Sequence, residues 1–337
     1  MSENTLSLAQ AEALAIRALS ACGASADNAA STARALVAAE ADGQAGHGLS
    51  RVPSYGAQLK TGKIDGRAIP ALNRTRAAAV RIDAKGGLAY PALDMAIAAL
   101  TPLAREAGVA AAGVFASHHI GQAGRSVERL ADEGLVSLVV SNTPQAMAFQ
   151  GGAKPMMGTN PLAFAAPLPG RAPLVIDMAL SLVARSKIVA AQKAGQPIPE
   201  GWANDAQGHP TTDANAALSG ALAPAGGAKG AALALMVEIL CGALAGGQYG
   251  WEASSFLDDK GPSPSVGQVI LVLDPMAFAG PDFLPRMGSL AAAMEAEDGV
   301  RLPGDRRMAN RARAAKEGLI IAPALLSEIN ALAGAPA

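Results

Sequence analysis

The chain has 337 residues, enough to bury a sizeable core and, at about 150 residues per domain, to form about two domains. Half of it is apolar but only 3% is aromatic, so the core has to be built from Ala, Leu, Val, Ile and Met. With 27 basic and 28 acidic residues the formal charge is −1, and apart from Arg301, Arg306, Arg307, Arg311 and Arg313 the cations are dispersed, which argues against nucleic-acid and membrane partners.

Met1-Ser2-Glu3-Asn4-Thr5 lacks the basic and apolar regions of a secretory leader, so a cytoplasmic protein is expected. Two alanine-rich helices follow at 8–21 and 26–41; Ser7 and Gln10 have capping-box spacing, and Ser25 or Asp27 would cap the second. Cys22 and Cys241 lie in apolar helical patterns without metal spacing and read as buried thiols, at most one disulfide. Gly46-His47-Gly48-Leu49-Ser50-Arg51 comes next. One of only four histidines stands between two glycines, four residues before an arginine. An imidazole that exchanges a proton beside a guanidinium that grips a carboxylate is half of an oxidoreductase site for small acids; a structural histidine in a glycine turn is the alternative.

A helical stretch runs to Leu59, and a Gly/Pro-rich crossing spans 62–70. Strands are predicted at 80–83, at 109–116 running into Ser117-His118-His119, at 135–141 running into Asn142-Thr143-Pro144, at 173–176 ending at Asp177, and at 269–273. Helices are predicted at 91–107, 124–133 and 229–245. The run 231–245 is interrupted by Glu238 and too short to span a bilayer. The stretch 195–227 reads as a loop-rich surface excursion, either functional or a plain linker. Alternating strands and helices argue an α/β domain flanked by helical segments at the N-terminus and after about residue 281. Open α/β sheets bind ligands at the carboxyl ends of their strands, where the paired histidines, Asn142-Thr143 and Asp177 stand.

No G-x-G-x-x-G follows a strand, and G-x-x-x-x-G-K-[ST], H-E-x-x-H and G-x-S-x-G are absent, which lowers Rossmann, P-loop, zincin and esterase chemistry. Gly226-Gly227-Ala228-Lys229-Gly230 runs into a helix and suits an anion, or is a turn with a solvated lysine. Asp177-Met178-Ala179 leads into Arg185-Ser186-Lys187, an acid for ribose hydroxyls near cations for phosphate. Gly158-Thr159-Asn160-Pro161 offers a hydroxyl and an amide in a tight turn, which its own side chains could equally serve to stabilise.

The stretches HGLSRVPSYGAQLKTGKI (47–64), SHHIGQAG (117–124), GTNPLAFAAP (158–167), IDMALSLVARSKI (176–188), IPEGWANDAQGHPTTD (198–213) and GGAKGAALALMVEIL (226–240), spread in order over nearly the whole chain, resemble the type-2 malate/L-lactate dehydrogenase family. Its members include malate, lactate, sulfolactate and ureidoglycolate dehydrogenases, diketogulonate reductase and the Δ1-pyrroline-2-carboxylate and Δ1-piperideine-2-carboxylate reductases. The resemblance implies a non-Rossmann, nicotinamide-binding α/β domain (76–280), with a smaller helical domain built from 1–75 and 281–337, and a homodimer. It implies His47 as catalytic proton donor, with Arg51, Thr159 and His119 around a small carboxylate substrate; in some relatives a histidine of the SHH segment takes the acid/base role instead. Cofactor contacts would come from Ile120, Gly121, Gln122, Ala123, Gly124, Asp177, Met178, Ala179, Arg185, Lys187, Lys229, Gly230, Arg306 and Arg307, with no metal. Arg306 and Arg307 favour NADP(H), with NAD(H) the alternative.

Two departures from the family pattern stand out. Gly46 replaces the usual serine before the histidine, and Ala228 replaces the histidine of H-K-G. Lys187 also stands where some cyclic-imine reductases carry the aspartate of a relay to that histidine. Segments such as VRIDAKGGLAYPAL (80–93) and WEASSF (251–256) tilt the expectation toward reduction of a cyclic 2-imino carboxylate, Δ1-pyrroline-2-carboxylate to proline. A 2-hydroxyacid dehydrogenase acting on malate, lactate or sulfolactate is the second reading, and a non-catalytic cofactor-binding relative the third.

Overall fold

The computed structural model describes residues 4–334, so Met1, Ser2 and Glu3 of the segment read for a leader lie outside it. Seven strands form the principal sheet: β1 (Ala71–Arg76), β2 (Ala79–Asp83), β3 (Val109–Ser117), β4 (Val136–Ser141), β5 (Leu162–Leu168), β6 (Arg171–Met178) and β7 (Val266–Leu273). Their order is β1-β2-β3-β7-β4-β5-β6. Among neighbours only β2 and β3 are parallel; β7 is antiparallel to β3 and β4, and β5 to β4 and β6. The strands β2, β3, β4 and β6 therefore all point one way. Their carboxyl ends share one edge with the amino ends of β1, β5 and β7. That edge receives His118-His119, Asn142-Thr143 and Asp177, together with the turn 158–161 that leads into β5.

Eleven α-helices occur among the described residues: α1 (Leu8–Ala21), α2 (Ala26–Ala41), α3 (Arg51–Thr61), α4 (Ala89–Ala107), α5 (Ala123–Asp132), α6 (Arg185–Lys193), α7 (Ala214–Ser219), α8 (Ala228–Glu238), α9 (Phe283–Glu295), α10 (Asp305–Glu317) and α11 (Pro323–Ala333). The capping box at α1 forms as its spacing requires, and Ser25, not Asp27, caps α2 through Asn28 N–H. The helices α4 and α5 cover one face of the sheet, burying Ile82, Leu100, Val114, Leu130, Val139 and Ile270. The other face is met by a π-helical turn, Ile239–Leu244, that continues α8; a Cβ on Gly267 would lie 2.1 Å from Cys241 O, so backbone packs directly on backbone.

A second core joins the two ends of the chain. Leu14, Leu19, Leu36, Val52 and Tyr55 pack with Leu319, Ile321 and Ile329, and Thr5–Leu6 pairs with Leu319–Ile320. The helix α9 departs from this layer: it packs on β5, with Ala291 against Leu168 and Leu174. The stretch 195–227 is not a plain excursion. It supplies α7 and the short strands Ala203–Asn204, Pro210–Thr211 and Ala221–Leu222, which join Met147–Ala148 and Pro155–Met157 in a five-stranded second sheet. Both cysteines are free and buried.

Candidate active site

His47 ends a 3-10 turn, Ala45–His47, just before α3. Gly48 is required there, since a Cβ would fall 2.1 Å from the Glu40 carboxylate that accepts Leu49 N–H. Gly46 is the opposite case: it is exposed, and a Cβ on it would meet nothing within 4 Å. The space for the family's serine is present and unfilled. Among the described residues His47 Nδ1, enclosed by protein, has no partner. What holds the ring is His119, stacked on it at 5.2 Å between centroids and 17° between planes. Arg51 opens α3 and donates from Nε to Gly46 O at 2.7 Å, which leaves its two terminal amines without a partner among the described residues.

The two adjacent histidines after β3 part company. His118 is fully buried; its Nε2 meets Gln58 Oε1 at 2.8 Å, while Gln58 donates to Phe256 O. Phe256 packs over both imidazoles, at 5.1 and 5.2 Å between centroids. Its loop is strapped down by Lys63, whose Nζ donates to the carbonyls of Ser255, Asp258 and Lys260. His119 instead turns to the site and meets the Tyr55 hydroxyl at 2.7 Å through Nδ1. Burial, and then neighbouring cations, hold all three imidazoles neutral: His47 falls to about 4 by burial and Arg51, His118 to about 3 by burial, Lys63 and Arg51, and His119 well below the ordinary histidine value by burial and Arg51.

The turn bearing Thr159 is fixed by a buried carboxylate. Glu238 Oε1 accepts from Gly158 N and Asn160 Nδ2, and Oε2 from Asn142 Nδ2 and Gly250 N. Gln268 carries the connection on by donating to His118 O. The Thr159 hydroxyl lies 3.4 Å from that of Thr143. Thr159 O accepts from Leu180 N, and Leu180 O accepts from Ala225 N, so Thr159, Met178-Ala179 and the entrance of α8 form one continuous patch.

Within 120–124 most side chains are occupied by packing. Ile120 and Ala123 are buried, and Gly121 makes room for Tyr90, whose hydroxyl would lie 2.4 Å from a Cβ there. Gln122 donates to Asp42, which also accepts from Nε and Nη2 of Arg311. Gly124 N–H donates to Asp177 Oδ2, and a Cβ at Gly124 would lie 2.7 Å from both Asp177 and Arg307. Arg307 is buried 4.0 Å from Asp42, with Nε otherwise unpaired. Arg185 donates to Leu218 O, and Gly230 is filled by the Ala225 carbonyl, 1.9 Å from where its Cβ would be. The residues that remain open to a ligand are Met178, Ala179, Lys187, Lys229 and Arg306, all exposed, with the left-handed Gly226-Gly227 turn before Lys229. From β3 to β6 is four inter-strand steps, roughly 19 Å at about 4.8 Å each. Exposed cations, a glycine turn at a helix start and an acidic strand end along such an edge fit the extended, anionic dinucleotide that the resemblance implies.

Tyr55, Tyr90, Gln58, Phe256 and Glu238 escape the sequence reading as site residues. Only Glu238 left a signal, a lone carboxylate in an apolar helix. A cavity of about 620 Å³ lies at the opposite edge, lined by Arg105, Asp132, Arg171, Asp274 and Phe283, and holds no histidine. No helix among the described residues is long and apolar enough to cross a membrane, and no cluster of three potential metal ligands occurs among them.

The malate/L-lactate dehydrogenase family model matches residues 6–330. The chain is 50% identical over 328 residues, 97% of its length and 98% of the relative's, to the (2R)-3-sulfolactate dehydrogenase (NADP(+)) of Chromohalobacter salexigens. It is 42% identical over 297 residues, 88% of this chain and 87% of the relative, to the Δ1-pyrroline-2-carboxylate/Δ1-piperideine-2-carboxylate reductase of Pseudomonas putida. The crystal structure of Δ1-piperideine-2-carboxylate reductase from Pseudomonas syringae pv. tomato superposes with a TM-score of 0.92 at 38% identity, covering 97% of this chain and 99% of the other. With a family model spanning nearly its whole length and relatives at this identity, the chain belongs to the malate/L-lactate dehydrogenase family of oxidoreductases.

Proposed function

We propose that the protein interconverts a small 2-oxo acid and the corresponding 2-hydroxy acid with NADP(H), the substrate belonging to the 3-sulfopyruvate/(2R)-3-sulfolactate class. The observation that carries this reading is the pairing of Arg51, its terminal amines open, with His47 and the stacked His119 at one sheet edge. Arg51 presents a planar fork that takes a carboxylate bidentately, which a lysine could not do. With the carboxylate on Arg51 and a second hold from the Thr159 hydroxyl, the 2-oxo group lies toward His47. The reduced nicotinamide, when bound, supplies a hydride to carbon 2. His47 gives a proton to the oxygen as negative charge develops there, and His119 closes the opposite side of the ring. The substrate carboxylate neutralises the Arg51 cation that helps to depress His47, so binding raises the proton affinity of His47 when a proton is needed. Lys187, Lys229 and Arg306 would supply cations for phosphates, and Arg306, exposed where Arg307 is buried, would be the one to meet a 2′-phosphate.

The relay of the imine reductases has no counterpart at Gly46, and the sulfolactate relative is the more similar of the two classes. Both points favour the oxo acid over the cyclic imine. The imine remains the second reading because reductases of that class match at 42% and superpose closely. The same proposal includes a homodimer, since beyond Lys229 the outward face of α8 and its π-helical extension is apolar (Leu233, Leu235, Met236, Ile239, Leu244). A panel of 3-sulfopyruvate, oxaloacetate, pyruvate, Δ1-pyrroline-2-carboxylate and Δ1-piperideine-2-carboxylate, each with NADPH and with NADH, tests it. Highest kcat/KM for 3-sulfopyruvate with NADPH supports the proposal; reduction of the cyclic imines alone sinks it.

A further inference from the structure

We propose that Tyr55 and Tyr90 form an internal proton route that reloads the histidine pair from a water-accessible cavity between α2, α4 and α5. The inference rests on the reading above, in which a histidine gives up a proton in each turnover. His119 is 5% exposed, Tyr55 0% and Tyr90 6%, so the Nδ1 side of His119 has no direct path to bulk water. The Tyr55 hydroxyl lies 2.7 Å from His119 Nδ1 and 3.3 Å from the Tyr90 hydroxyl, and among the described residues neither hydroxyl has another partner. Two phenol oxygens buried in an alanine- and leucine-rich core cost desolvation that a phenylalanine pair of the same shape would avoid.

Beyond Tyr90 lies a cavity of about 260 Å³, lined also by Ser31, Arg34, Asp94, Arg125 and Arg129. Arg34, Asp94 and Arg129 are 57, 35 and 39% exposed along its rim, which opens it to water. Asp94 is held at that rim by Ser31 and Arg129, at 2.6 and 2.5 Å. Burial keeps both phenols protonated, and the route takes Tyr55 as the donor to Nδ1, which puts the His119 proton on Nε2. As His119 yields its Nε2 proton to make good the one His47 has given to substrate, the Tyr55 hydroxyl proton passes to Nδ1, that of Tyr90 passes to Tyr55, a water proton from the cavity replaces it on Tyr90, and the imidazole then returns to its Nε2–H tautomer. One proton enters, one leaves, and nothing is oxidised or reduced.

The test is Tyr90→Phe, which keeps the ring and removes the hydroxyl, assayed with 3-sulfopyruvate and, in parallel, Δ1-pyrroline-2-carboxylate. In a single turnover on enzyme already holding NADPH, oxidation of the nicotinamide should stay within about twofold of the parent, while steady-state kcat falls about tenfold and millimolar imidazole restores it, the behaviour of a lost proton donor. A role in packing alone lowers both rates together and is not rescued by imidazole, and that result overturns the route. So does an unchanged steady-state rate. A parent enzyme that turns over neither probe overturns the functional reading and the route together, whereas an active parent with an indifferent Tyr90→Phe variant overturns the route alone.

Discussion

His47 stays neutral at neutral pH because burial, and then the Arg51 cation, bring it to about 4; His118 lies at about 3 and His119 well below the ordinary value. All three are depressed relative to the unfolded chain, so the unfolded chain binds more protons as pH falls below 6.5. Their contribution to stability is complete above 6.5 and is lost progressively below it, for His47 by about pH 4 and for His118 by about pH 3. Thermal unfolding followed from pH 7.5 downward should therefore show Tm holding to about 6.5 and then dropping steeply, at up to about 1.4 kcal/mol per pH unit for each histidine. A flat Tm between pH 6.5 and 5 would show that the imidazoles protonate without unfolding pressure. Arg51→Gln separates two effects at one side chain. Loss of the cation should raise the His47 pKa, read by titrating its ring resonances, and loss of the fork should raise KM by about tenfold to a hundredfold, the worth of a charged hydrogen bond. A KM that stays at the parent value would place the carboxylate elsewhere.

Between residues and elements, the buried hub at Glu238 has the largest leverage, because four N–H donors from three separate loops converge on one carboxylate. In Glu238→Gln, whichever oxygen becomes an NH2 group faces two donors, so unfolding should become easier by about 2–3 kcal/mol in urea titrations. KM should rise as well, as the Thr159 turn loosens; unchanged stability would mean that the turn is held by other contacts. Glu238 was legible only as an interruption, because an apolar helix with one carboxylate gives no hint of loops 80 and 96 residues distant that it will bind. The helices α1 and α2 were legible to the residue, since a capping box and a Ser N-cap fix their starts. Strand β1 was not: it is exposed throughout, so no alternation marks it. The two-residue strands of the second sheet offer no periodicity at all. At the site, His47, Arg51 and His119 stood out as chemically capable types. Tyr55 and Tyr90 did not, since a tyrosine in a helical pattern reads as core until its hydroxyl finds a neighbour 64 or 35 residues away.

The whole molecule is locked across its sheet edge by charge and left incomplete on an outer face. Asp42 at the end of α2 accepts from Nε and Nη2 of Arg311 on α10, whose Nη1 and Nη2 also reach Glu128 of α5, so the layer made from both chain ends is clamped to the sheet beside Gln122 and Arg307. On the outer face, α8 has its inward positions filled by Ala231, Ala234, Val237 and Cys241, all nearly inaccessible, while Leu233, Ile239 and Leu244 stand 44, 53 and 71% exposed. A soluble helix ordinarily places polar residues on such a face; a contiguous apolar one marks a surface that another protein covers. A second copy of this chain is the occupant argued above. Ile239→Glu with Leu244→Glu places two like charges on that face and leaves the inward positions untouched, so the fold should persist while the assembly falls apart. Sedimentation velocity at micromolar concentration should give a dimer for the parent and a monomer for the double variant, with far-UV circular dichroism unchanged. A monomeric parent, or a variant that sediments with the parent, would remove α8 from the interface.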